Sequence, residues 1–94
     1  PYRVDIYIGS DNHSRRISRE YVSRILEWAN ATFPQGYTLM KGRGHYRGAS
    51  EDSLVVSVLY DCDKDLRNQV LPLKHTLGQE AILLAKSEVK IEVV

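Results

Sequence analysis

Val4, Ile6 and Ile8 alternate with Arg3, Asp5 and Tyr7 over residues 2–8, the period of a strand with one buried face. The next stretch, GSDNHSRR at 9–16, is rich in turn formers, has no period and reads as a loop. Ser18 is a helix N-cap, and Tyr21, Val22, Ile25, Leu26, Trp28 and Ala29 then recur at spacings of three and four. That pattern predicts a helix to Thr32, stopped by Phe33, Pro34 and Gly36. A second strand is predicted over 37–43. The β-branched run SLVVSVLY at 53–60 is a third, apolar in places on both faces and therefore central in its sheet. Between them GRGHYRGASED, residues 42–52, predicts a hairpin with a sizeable loop.

Leu66, Val70, Leu73 and Leu77, spaced four, three and four, form the buried stripe of a second helix, with Asp61 or Asp63 as its cap and a kink at Pro72. Gly78 ends it. AILLA at 81–85 predicts a fourth strand and residues 86–88 a turn. Val89, Ile91 and Val93, on alternate positions, predict an extra C-terminal strand. The order strand, helix, two strands, helix, strand is the split βαβ pattern of a ferredoxin-like α+β fold, an antiparallel sheet with both helices on one face. On the other face Tyr7, Val55 and Leu59 would leave apolar surface, of the kind that marks contact between copies.

Ninety-four residues allow a single domain. Thirteen Lys and Arg against twelve Asp and Glu give a formal charge of +1, so any attraction for phosphate must be local. A lone cysteine, Cys62, excludes an intramolecular disulfide and fits a reducing cytoplasm. No apolar run approaches the roughly 20 residues that span a bilayer, and a soluble protein without a membrane role is expected.

The stretch Lys41, Gly42, Arg43, Gly44, His45, Tyr46, Arg47, Gly48 has an anion-binding composition. Glycines let backbone N–H groups approach an oxyanion, arginine grips phosphate or carboxylate with paired hydrogen bonds, and tyrosine stacks on a base. It is neither a P-loop nor a dinucleotide fingerprint, and a solvated hairpin whose glycines serve turns or a bulge is the plainer reading. Asp11, Asn12, His13, Arg15 and Arg16 form a second polar group, able to add an arginine to a phosphate site or simply solvated. His13, His45 and His75 lack the spacing of metal ligands, and no metal or cofactor is expected. Carboxylates on either side of Cys62 disfavour a reactive thiolate. Asp61, Asp63 and Asp65 lack the glycine and distal glutamate of a calcium loop and suit helix capping.

Phe33-Pro34, Gly36-Tyr37-Thr38, Gly44-His45-Tyr46-Arg47-Gly48, then Glu51 and Ser53, and later Leu77-Gly78-Gln79-Glu80-Ala81-Ile82, carry a resemblance to small PII-like domains of the nitrogen-regulatory PII superfamily. The resemblance implies a homotrimer of ferredoxin-like subunits with a mobile effector loop between the second and third strands. It also implies small ligands, often nucleotides, bound between subunits. Carried over by position, residues 42–48 would form the loop base and its ligand contacts, with Gln79 and Glu80 near the cleft. The loop is much shorter than in signalling PII proteins, and their usual nucleotide-contact motifs are not evident.

Three functions compete. The first is a PII-like regulatory module binding a nucleotide or another anionic small molecule. The second is an RNA- or DNA-binding module, using Tyr7 and Tyr46 to stack bases on the sheet. The third is a small enzyme with His45 as general base and Arg43 or Arg47 holding an anionic intermediate; a binding role without catalytic residues is the expectation.

Overall fold

The computed structural model describes the backbone of residues 1–94 and every side chain except that of Tyr46. The elements follow in the order β1 (Tyr2–Gly9), α1 (Arg19–Thr32), β2 (Thr38–Tyr46), β3 (Ala49–Tyr60), α2 (Arg67–Leu77) and β4 (Leu83–Glu88). The strands form one antiparallel sheet in the order β2-β3-β1-β4. This small α+β arrangement is compatible with a ferredoxin-like fold.

The alternation read in the sequence decides which face is buried. Val4, Ile6 and Ile8 of β1 and Leu54, Val56 and Val58 of β3 point to one side, where they meet Tyr21, Ile25 and Ala29 of α1 and Val70, Leu73 and Leu77 of α2. Both helices thus lie on the same face. Trp28 ties them together by donating its indole N–H to Gln69 O at 2.8 Å, and its ring meets Phe33 edge-on at 5.3 Å. The Ser18 hydroxyl caps α1 by accepting from Tyr21 N at 3.1 Å.

Four details depart from expectation. The cap of α2 is Leu66, with no side-chain bond from Asp61 or Asp63; Asp65 instead accepts from Arg67 N at 3.0 Å. Pro72 lies inside one unbroken α2, placed on the exposed side of the helix. The expected turn at 86–88 belongs to β4, because Tyr2, Arg3 and Val4 supply partners for Glu88, Ser87 and Lys86. Residues 89–94 form no strand, for β1 offers no partner beyond Pro1, whose carbonyl accepts from Val89 N at 3.1 Å.

The largest departure concerns the hairpin. In place of a sizeable loop, β2 and β3 pair down to Tyr46 and Ala49 and are joined by Arg47 and Gly48 alone. Both turn residues have positive φ, 51° and 78°, the backbone that makes a two-residue turn follow the right-handed twist of its strands. Replacing Gly48 by alanine puts a Cβ into this left-handed conformation. It is expected to lower stability by about 1 kcal/mol, read as a shift in urea midpoint at unchanged slope.

Candidate functional site

Pairing between β1 and β3 ends at Gly9 and Ser53, whereas β2 and β3 continue to the turn, so residues 43–52 project past the sheet as a two-stranded ribbon. Strand periodicity sorts its side chains. Leu39 faces buried Val56, which puts Lys41, Arg43 and His45 on the helix side of the ribbon, and Met40, Gly42 and Gly44 on the open side. The K-G-R-G-H stretch is therefore a strand with its cations on one face and its glycines on the other. A Cβ at Gly42 would lie 3.2 Å from Ser53 Oγ, a tight approach that the serine side chain would have to yield to.

Lys41, Arg43, His45, Arg47 and Gly48 are exposed. Arg43 lies opposite Asp52 without an ion pair to it, and its guanidinium comes within 3.5 Å of Ser50 Oγ. Among the described residues the four salt bridges, Arg3–Asp5, Arg24–Glu20, Arg67–Asp65 and Lys86–Asp63, leave Lys41 and Arg43 without a carboxylate partner. Among the described residues His45 likewise has no hydrogen-bond partner that would orient it as a base. The Tyr46 side chain, named as a stacking group, lies outside the described residues.

The base of the ribbon is fastened by a polar network. Buried Ser10 donates its hydroxyl to Glu51 Oε2 at 2.9 Å. Gln79 Nε2 donates to Ser10 O at 2.8 Å and to Tyr21 Oη at 3.0 Å, and Tyr21 Oη donates to Gly9 O at 2.6 Å. Burial, with the charges of Asp11 and Glu51 adding to it, pushes the Tyr21 hydroxyl up to about 12, so it stays a donor at neutral pH. Gln79 therefore joins the end of β1, the first turn of α1 and, through Ser10 and Glu51, the ribbon base. Glu80 is exposed and takes no part.

The loop after β1 is ordered by its own backbone. Asp11 accepts from His13 N and Ser14 N at 2.8 and 3.0 Å, which lowers its carboxyl pKa, and Arg15 N donates to Asp11 O at 2.7 Å. Asn12 Nδ2 donates to Gly78 O at 2.8 Å, docking the loop on the end of α2. Arg15, at φ 57°, and Arg16 stay exposed and outside the salt bridges above. They join Arg19 at the end of the molecule from which the ribbon projects.

The sequence marks residues 41–48 and the loop at 11–16 as polar candidates and, through the resemblance, Gln79 as a ligand contact. The structure instead places Gln79 in an internal network with Ser10 and Tyr21, which the sequence does not single out for such a role. A serine directly after a strand and a tyrosine on a helix stripe carry no sign of a shared network. The acidic and thiol groups lie elsewhere. Asp61 and Cys62 border a cleft of about 570 Å³ at the opposite end, between Phe33, Tyr60, Leu66 and Ile91. Among the described residues no three His, Cys, Asp or Glu side chains converge as metal ligands. No helix is long and apolar enough to cross a membrane. Comparison of the chain with protein-family models, curated proteins and solved structures finds no match.

Proposed function

We propose that the chain is a ferredoxin-like, PII-like regulatory or ligand-binding module. It takes a nucleotide or another small anion at the β2–β3 ribbon and meets copies of itself, as a homotrimer, through the open face of its sheet. The observation that carries the ligand reading is the sorted ribbon: Lys41, Arg43 and His45 share one exposed face, without carboxylate partners among the described residues. A guanidinium without a carboxylate partner, such as that of Arg43, offers a fork of donors to a phosphate, and Arg15, Arg16 and Arg19 add positive charge at the same end. Glu51 is engaged by Ser10, and Asp52, directly opposite Arg43, forms no salt bridge with it among the described residues.

The self-association reading draws on the opposite face. Register places Met40, Val55, Tyr7 and Leu83 in one row across all four strands, and Met40, Tyr7 and Leu83 are 45%, 42% and 67% exposed. Beside that row the polar group is already satisfied within the chain. Asp5 accepts from Ser57 Oγ at 2.7 Å and pairs with Arg3 at 3.3 Å, so the face can be covered without stranding a charge.

Titration with ATP, ADP and inorganic phosphate is expected to shift the amide resonances of residues 42–48. Arg43→Ala should weaken binding about tenfold, the loss of roughly one charge-assisted hydrogen bond. A flat titration across that panel removes the ligand reading, and light scattering that reports a monomer at micromolar concentration removes the trimer. A nucleic-acid reading draws on the ribbon's shape, since two antiparallel strands fit a major groove, and on exposed Tyr7. It requires binding to a short duplex that weakens steeply with added salt.

A further inference from the structure

β4 is an edge strand with every residue exposed, and it carries neither proline nor bulge. Such an edge is a template for another strand unless something blocks it. Its chemistry selects what would pair. Val89 N reaches Pro1 O, continuing the β1–β4 ladder, so the odd residues of β4 turn their backbone N–H and C=O toward β1. The even residues Leu84, Lys86 and Glu88 turn theirs to the open edge.

From this we infer that β4 pairs antiparallel with β4 of a second copy about a two-fold axis at Ser87, joining two four-stranded sheets into one. Backbone parity requires even residues to face even residues, and this leaves few registers. A centre at Lys86 or at Glu88 sets like charges opposite each other, which is destabilising. A centre at Ser87 sets Lys86 opposite Glu88 of the second copy, twice by symmetry, with Leu84 opposite Lys90.

On the open face the same register sets Ala85 opposite Val89, and it requires Ile91 to leave the cleft that it borders with Phe33 and Leu66 in order to extend β4 and lie opposite Leu83. It thus extends the apolar row that already runs through Met40, Val55 and Tyr7. The alternation of Val89, Ile91 and Val93, which finds no partner strand within the chain, acquires one. Ile91 and Val93 are 42% and 98% exposed without it. Lys86 and Glu88 at present hold exposed Asp63 and Tyr2, contacts weak enough to be shared.

The contact is independent of ligand binding and of packing through the sheet face, and cysteine cross-linking tests it. In a Cys62→Ser background, Ser87→Cys places two thiols on directly opposed, non-hydrogen-bonded residues. Their Cα atoms are about 4.5 Å apart, inside the range a disulfide spans. Mild oxidation is expected to give a covalent dimer of twice the chain mass. Ala85→Cys and Val89→Cys should each stay uncross-linked alone and link when mixed.

A Ser87→Cys protein that remains single-chain under oxidation overturns the proposal, and self-linking of Val89→Cys overturns its register. Lys86→Glu should slow the Ser87 cross-link at least tenfold and added Glu88→Lys should restore it; equal rates in all three overturn the charge pairing. Tyr7→Asp with Met40→Asp, which disrupts face packing, should leave the cross-link intact. Failure of the trimer and failure of the edge pairing are thereby told apart.

Discussion

Replacing Leu54 by alanine is expected to lower the unfolding free energy by about 2–5 kcal/mol, a large share of the roughly 5–15 kcal/mol that holds a domain of this size. Leu54 is fully buried, paired with Ile8 on one side and Lys41 on the other, at the point where the sheet passes into the ribbon. Removing its side chain leaves a cavity between β3 and the helices that a four-stranded sheet with two helices cannot collapse to fill. Thermal unfolding reads the result directly, since each kcal/mol corresponds to about 4–8 °C at this length. A variant melting within a few degrees of the parent would mean that Leu54 does not pack as described. The same truncation at Leu59, 55% exposed on the opposite face of the same strand, should change stability little.

Tyr21→Phe is expected to cost about 1–3 kcal/mol, because the ring still packs while the carbonyl of Gly9 and the amide of Gln79 each lose a partner. It should also change how stability responds to alkali. With the native hydroxyl pushed up to about 12 and an unfolded tyrosine near 10, the folded protein holds this proton more tightly than the unfolded chain. The contribution is therefore complete below pH about 10 and is lost as pH rises through about 12. Urea midpoints measured from about pH 8 to about 12 should fall more steeply for the parent than for the phenylalanine variant. Some slope persists in both, since burial raises the Tyr60 hydroxyl and Glu88 raises that of Tyr2. Identical slopes would show that the Tyr21 hydroxyl is not enclosed by this network. As the network anchors Ser10 and Glu51, Tyr21→Phe should also loosen the ribbon base, seen as faster amide exchange near Glu51.

The elements that read most clearly were those whose period matched their burial. Val4, Ile6 and Ile8 alternate because one face of β1 is covered, and Tyr21, Ile25 and Ala29 repeat at helical spacing because one side of α1 is. The ribbon was misread for a physical reason. Gly42 and Gly44 look like loop residues when counted by type, yet they occupy one face of a strand, and a turn requiring positive φ falls on Arg47 and Gly48. The strand boundary at 83–88 was shifted because register depends on where β1 ends, which local pattern does not encode.

Composition and periodicity by themselves determined the α+β class, the two helices, the buried face of the sheet and the basic character of the segment between the second and third strands. Tertiary structure alone decided that the cations share one face and that Gln79 meets Ser10 and Tyr21 at the ribbon's base. It alone aligned Met40, Val55, Tyr7 and Leu83 in one row and left β4 with an open edge. Local pattern reports how each residue sits relative to its own element. Register and edge exposure arise only when residues distant in the chain are brought opposite one another.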